Sequence, residues 1–280
     1  MQRTTLTELL DRYDDFLLDA YGVLVNSGGA IAGADAFLAC LREAGKRFLI
    51  LSNDASRSPE TSYARYRGFG LPVKPEQIVT SGLLLAAHYA SQGLEGTRTI
   101  VLGTTDSEEY VRQAGGVPVA PDDQDAEVVV VADDDGYEFL ETVNAVVSVL
   151  LGRLDRGLPI HLVLPNPDVL FPLGPHRFGI ASGAIAALIE RVLRLRDPEG
   201  RHRFVPLGKP HRPIYEEAMA RLPGARPERV VMVGDQIVTD IRGAADFGID
   251  SVLVETGVGR AEDAARFGVE PTWILKDLKS

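Results

Sequence analysis

A single cysteine, Cys40, leaves this 280-residue chain no second thiol with which to form an internal disulfide. That excludes a disulfide-stapled scaffold and fits a reducing, cytoplasmic compartment. Cys40 itself reads as a small core residue on a helix face. Histidine is scarce too. His88, His161, His176, His202 and His211 include no His-x-x-x-His pair, which argues against zinc. Positive charge is in deficit, with 29 Lys and Arg against 40 Asp and Glu and a net charge of −11. That is the wrong sign for nucleic acid or an anionic membrane surface as partner. No apolar run approaches the ~18 residues of a membrane span. Near the start, Leu6, Leu9 and Leu10 alternate with Thr7, Glu8 and Asp11. This predicts a short amphipathic helix rather than a signal peptide. No internal repeat or low-complexity tract is visible.

What is present is a soluble globular composition, 45% hydrophobic, with strand-like and helix-like segments in alternation. Phe16–Asp19, Phe48–Ser52, Val230–Gly234 and Ser251–Val254 are short apolar runs of the kind buried in a parallel sheet. Helical patterns lie between them: 35–44, closed by Gly45 as a left-handed cap, a polar helix from Ser58 with Pro59 in its first turn, and 240–247 closed by Gly248. Alternation of this sort predicts an α/β fold with a Rossmann-like parallel-sheet core.

Four of these segments end in polar groups with a shared chemistry. Asp19 closes the first strand, and Gly22 permits a sharp turn beside it. Ser52 and Asn53 close the second. Lys209 stands in Pro206-Leu207-Gly208-Lys209-Pro210, just before a helix-like stretch. Asp235 closes Val230–Gly234, and Asp240 follows five residues later. Ligands of open α/β sheets bind at the carboxyl ends of strands. A hard cation takes oxygen ligands, a phosphoryl group takes Lys and hydroxyl donors, and a carboxylate can be a covalent nucleophile.

In order and spacing, the four segments resemble the motifs of the haloacid dehalogenase superfamily of phosphohydrolases, over essentially the whole chain. The resemblance implies Asp19 as nucleophile and Mg²⁺ ligand, with the Tyr21 carbonyl and Asp235 as further ligands. Asp240 would be a water-mediated ligand, a helix cap, or both. Ser52 and Lys209 would hold the phosphoryl group, and Asn53 would help to bind substrate. The substrate would be a small phosphorylated metabolite.

A βαβ unit of about 30 residues fills the gap between Asp19 and Ser52. The gap between Asn53 and Lys209 is several times larger, so an inserted domain is expected there, at about 85–180. Residues 1–84 and 181–280 then form the core, and a helix over 182–195 returns to it. The insert shows strands at 99–102, 127–132 and 160–164 and a helix at 138–151. Its position, and Asn166-Pro167-Asp168 after the last of these strands, resemble the subfamily of p-nitrophenyl-phosphatase-like and sugar- or nucleotide-phosphate phosphatases. That subfamily carries an α/β cap and often dimerises through it. Asn166 would then contact substrate. The acidic turn Asp133-Asp134-Asp135 is either a solvated loop or a cap loop facing the site.

One departure from the pattern stands out. Where the family has a second Asp as general acid and base, this chain has Tyr21. A positioned acid or base is worth about 10²–10⁴-fold; as the catalytic residue here, the Tyr21 phenol, with reference pKa about 10, can donate a proton but is a poor base at neutral pH. Two other readings follow. One is a phosphate-ligand binding protein without turnover. The other is dehalogenase-like chemistry, which needs no acid. The dehalogenase branch, however, places its cap between the first two motifs and uses no metal. This chain has no room there, and it keeps Asp235 and Asp240.

Overall fold

The computed structural model describes residues 2–26, 28–174 and 177–279. The chain divides into two units: Met1–Ser52, Pro59–Val79 and Lys209–Ser280 form the first, and Asn53–Ser58 with Thr80–Gly208 form the second.

The first unit is built on a seven-stranded sheet. Its order is Gln2–Arg3, Trp273–Leu275, Asp250–Val254, Val230–Gly234, Asp15–Asp19, Arg47–Ser52, Ile78–Thr80. The pairings from Gln2–Arg3 through Arg47–Ser52 are parallel. Every residue of Asp15–Asp19 and Val230–Gly234 is buried, as a strand covered on both faces requires. Phe16, Leu18, Phe48, Ile50, Val231, Val233, Val252 and Val254 pack with Phe37, Leu38 and Leu41 of the helix Ala34–Glu43. Each such side chain contributes roughly 1.5–3 kcal/mol by leaving water. Gly45 closes that helix at φ +68°, the left-handed conformation expected of it. Asp15, buried at the start of its strand, is satisfied by Arg47 on the neighbouring strand, through Nε at 2.5 Å and Nη2 at 2.9 Å. Cys40 is half-buried on the Ala34–Glu43 helix.

From Asp15–Asp19 the chain moves to Arg47–Ser52 on one side of the sheet and later to Val230–Gly234 on the other. The strand carrying Asp19 therefore sits at a topological switch point, where carboxyl ends of strands leave a crevice.

The second unit has its own parallel sheet, ordered Val205–Pro206, His161–Leu164, Val128–Val131, Arg98–Leu102, Val117–Val119. Pro118 occupies the edge strand, where a missing N–H is tolerated. The helices Leu84–Gln92 and Thr105–Gln113 were not foreseen, nor was the hairpin of Leu170–Gly174 with Arg177–Ile180. The expected return to the core over 182–195 is corrected. In the helix Ser182–Leu193, residues Ile185, Ala186, Ile189 and Leu193 bury against Val129, Val146, Leu162 and Leu164 of the second unit. An amphipathic stripe identifies a buried face but not the sheet that covers it. No helix among the described residues is long and apolar enough to cross a membrane.

Candidate active site

Adjacent strands deliver three of the groups. The register places Leu18 beside Val233 and Asp19 beside Leu51. Asp19 thus ends the central strand, with Ser52 just beyond the edge on one side and Asp235 just beyond it on the other. Strand spacing is about 4.8 Å, so these groups share one rim. All three are buried.

Lys209, also buried, ties the rim together. Its Nζ donates to Asp19 Oδ1 and, at 2.8 Å, to Asp240 Oδ1. Asp240 Oδ2 accepts the backbone N–H groups of Asp235 at 3.1 Å and Gln236 at 3.0 Å. One carboxylate therefore closes the 235–240 loop and also steers the lysine onto Asp19. It does so from the irregular turn Ile237–Ile241 that leads into the helix Arg242–Phe247.

The electrostatics leave a surplus of negative charge. Oxygens of Asp19, Asp235 and Asp240 lie within 4.8 Å of one another, with one ammonium among them. Burial pushes the Asp19 carboxyl well above the usual range; Lys209 opposes this, and Asp240 and Asp235 add to it. Burial first, and Asp240 second, push Asp235 up to about 7. Lys209 is desolvated as well, but Asp19 and Asp240 hold it firmly protonated.

Asp235 is the least satisfied of the three carboxylates. Its Oδ2 accepts the Val258 N–H at 2.9 Å, but its buried Oδ1 finds no donor among the described residues. A proton shared between the carboxyls, a water or a cation would satisfy that oxygen. Two glycines make room for the carboxylate: a Cβ on Gly22 or Gly257 would fall inside it. Gly22 is also at φ +92°, where a side chain is strained. The donors are all oxygen, the set that suits a hard divalent cation such as Mg²⁺.

The loop after the strand Asp250–Val254 was missed as part of this arrangement. Besides Val258, Gly259 N–H donates to the Asp235 carbonyl at 2.8 Å, and Thr256 Oγ1 donates to the Gly22 carbonyl at 3.2 Å. The signal available was Thr256-Gly257-Val258-Gly259, two glycines in the loop that follows a buried strand.

Tyr21 lies on the turn after Asp19, bridged to Val25. Its phenol is 37% exposed and accepts a hydrogen bond from Arg65 Nη2. The Arg65 guanidinium also lies 5.2 Å from the Tyr21 ring centre.

Asn53 and Asn166 belong to the second unit. Asn53 Nδ2 donates to Asp168 Oδ1 at 2.9 Å, and its carbonyl accepts Ser81 Oγ at 2.7 Å. Asn166 Oδ1 accepts the Asp168 N–H at 3.0 Å, closing its own turn. In Asn-Pro-Asp it is therefore Asp168 that holds Asn53. The acidic turn is likewise bonded to itself. Asp133 Oδ1 accepts the N–H groups of Asp134 at 2.8 Å and Asp135 at 3.1 Å. Burial, with Asp133 beside it, pushes Asp134 up to about 6. His211 is half-buried ahead of the helix Arg212–Ala220, and burial lowers its pKa. His176 lies outside the described residues.

Residues 16–116 match the family described as haloacid dehalogenase-like hydrolase, and residues 206–280 match a HAD-hydrolase-like family. The chain is 31% identical over 265 residues to dihydroxyacetone phosphatase of Corynebacterium glutamicum (strain R), covering 94% of this chain and 88% of that protein. It is 29% identical over 269 residues to acid sugar phosphatase of Staphylococcus aureus (strain MRSA252), covering 96% of each. Among solved structures, a possible sugar phosphatase of the HAD superfamily from Cytophaga hutchinsonii superposes with a TM-score of 0.85 at 30% identity, covering 99% of this chain and 98% of that one.

Proposed function

Because the chain belongs to the haloacid dehalogenase-like hydrolase family, we propose that it is a Mg²⁺-dependent phosphatase of small phosphorylated metabolites, acting through an aspartyl-phosphate on Asp19. The observation that carries this reading is the buried Asp19–Lys209 pair beside an Asp235 oxygen that lacks a donor. The names of the two relatives favour short phosphorylated sugars and trioses as substrates.

Asp19, the Tyr21 carbonyl and Asp235 would hold the cation, with Asp240 fixing the loop behind them. When bound, Mg²⁺ supplies positive charge against the carboxylates and the phosphoryl oxygens. Asp19 attacks phosphorus, and the ester oxygen leaves. Lys209 and the Ser52 hydroxyl donate to the phosphoryl oxygens, where transition-state charge is spread. Lys209 also aims Asp19 and opposes the effect of burial on its carboxyl. Water then hydrolyses the acyl phosphate and restores Asp19. The second unit would serve as the cap; at Asn53–Ser58 with Thr80–Gly208 it is larger than the expected 85–180, and the core is correspondingly smaller than 1–84 and 181–280. Asn53, held by Asp168, and Asn166 are its polar contacts for substrate.

The test is phosphate release from p-nitrophenyl phosphate and a panel of sugar and triose phosphates, with Mg²⁺ and with chelator. Mg²⁺-dependent release that Asp19→Asn abolishes is the expected result. Release that continues in Asp19→Asn would refute the mechanism. A second reading, ligand binding without turnover, draws on Tyr21, whose phenol is engaged by Arg65 where a carboxylate would act as acid and base. It predicts thermal stabilisation by phosphate esters with no release.

A further inference from the structure

We propose that the second unit sets the spacing of the two phosphoryl donors, Ser52 and Lys209, by gripping the residues next to them in the chain. Asp168, Ser81 and Gly208 are then positioning residues, and the proposal rests on the phosphatase reading above. Segments of the first unit end at Ser52 and begin again at Lys209. Asn53 and Gly208, each joined to one of these donors by a peptide bond, belong to the second unit.

Within that unit the two residues are packed together. Asn53 Nδ2 donates to Asp168 Oδ1 at 2.9 Å, and the Asn53 carbonyl accepts the buried Ser81 hydroxyl at 2.7 Å. Gly208 N–H donates to the Pro165 carbonyl at 3.0 Å, just past the strand His161–Leu164. The turn 165–168 therefore anchors both residues. A Cβ on Gly208 would lie 2.5 Å from Asn53 Oδ1 and 2.7 Å from the Pro165 carbonyl oxygen, so the close approach depends on glycine.

The grip continues along the loop that follows Ser52. Ser107 Oγ donates to the Ala55 carbonyl at 2.8 Å, Thr104 Oγ1 to that of Ser56 at 2.7 Å, and Tyr110 OH to that of Arg57 at 2.6 Å. Asp106 Oδ2 accepts the Ser58 N–H at 2.8 Å. Backbone groups outside helices and sheets need such partners, and here Thr104 and the helix Thr105–Gln113 supply them. Consecutive Cα atoms are about 3.8 Å apart, so a fixed contact between Asn53 and Gly208 leaves Ser52 and Lys209 little freedom to part. A phosphoryl group then meets two donors held in place before it arrives. Misplacement by about 1 Å can cost about 10²-fold in such an arrangement.

The experiment measures, with Mg²⁺ present, the Kd of inorganic phosphate by calorimetry and kcat/KM for p-nitrophenyl phosphate and glycerol 2-phosphate. The proteins are wild type, Gly208→Ala, Asp168→Ala, Asp168→Asn and Ser81→Ala. Gly208→Ala, Asp168→Ala and Ser81→Ala should weaken phosphate binding, the first two by about 10-fold or more, as for one lost hydrogen bond to a charged group. They should lower kcat/KM for both esters by a common factor, because the donors act on the phosphoryl group and not on the leaving group. Asp168→Asn keeps an oxygen for Asn53 Nδ2 and should recover most of the loss. The Kd is read on folded protein, so lost stability alone does not move it. A lower melting temperature with an unchanged phosphate Kd in Gly208→Ala and Asp168→Ala overturns the proposal, since the contacts would then only hold the second unit together. A loss confined to one ester overturns it too, since these residues would then be reading the leaving group. A wild type that binds phosphate but hydrolyses no ester refutes the phosphatase reading, and the Kd comparison still decides this one. A wild type that does neither removes both.

Discussion

Mg²⁺ should stabilise this protein far more at alkaline than at acidic pH, and Asp235 sets the size of the effect. In the metal-free fold its carboxyl is pushed up to about 7. In the unfolded chain it titrates near 3.9, so folding moves it by about 3 units. Across that window the folded state holds a proton that the unfolded state has released. Stability therefore falls as pH rises from about 4 through about 7, by about 4 kcal/mol when the titration is complete. Asp19, raised by the same burial, acts with the same sign. A divalent cation binds the ionised carboxylates and takes the place of the proton, so its stabilisation is largest where the metal-free protein is weakest. The assay is thermal melting at several pH values from about 5 to about 8, with chelator and with millimolar Mg²⁺, for wild type and Asp235→Asn. The Mg²⁺-induced shift should grow across this range in wild type and be largely lost in Asp235→Asn. An equal shift at both ends of the range, or an undiminished shift in Asp235→Asn, would refute the reasoning.

Other perturbations have definite expected outcomes. Gly22→Ala or Gly257→Ala puts a methyl inside the Asp235 carboxylate, so Mg²⁺ binding measured by calorimetry should be lost while the far-UV spectrum is kept. Lys209→Met leaves Asp19 and Asp240 facing each other without their ammonium. It should abolish phosphate release and lower the melting temperature in chelator. Arg47→Ala strands the buried Asp15 carboxylate. Because Arg47 is itself partly exposed, the cost should sit at the low end for a broken buried pair, about 3 kcal/mol by urea unfolding. Replacing Asp133, Asp134 and Asp135 with Asn tests whether that turn shapes substrate choice. An unchanged substrate profile would make it a self-bonded surface loop.

Much of the core was legible because its strands are locally encoded. Phe16–Asp19, Phe48–Ser52 and Val230–Gly234 are apolar runs that can satisfy a buried strand and little else, and each ends in the polar residue that marks the rim. Gly45 and Gly248 announced their helix ends by the same short-range logic. The elements that escaped carry weak local signals. Val117–Val119 contains a proline; the helix Ser182–Leu193 was foreseen, but its amphipathic face fits one sheet as well as another until the chain is packed.

At the site, the identities of Asp19, Ser52, Lys209, Asp235 and Asp240 could be read from the chain, because their residue types and strand-end positions are properties of short segments. How they divide the work could not. Asp240 steering Lys209 and closing the 235–240 loop, Thr256–Gly259 wrapping Asp235, Asp168 holding Asn53, and Arg65 engaging Tyr21 all join residues that are distant in sequence or whose side-chain directions no pattern specifies. Sequence alone determined the strands, the caps and the list of reactive groups, since those depend on neighbours along the chain. The surplus of carboxylate over ammonium in one buried cluster, and the oxygen left without a donor among the described residues, arise only when folding removes bulk water from groups brought together across the sheet.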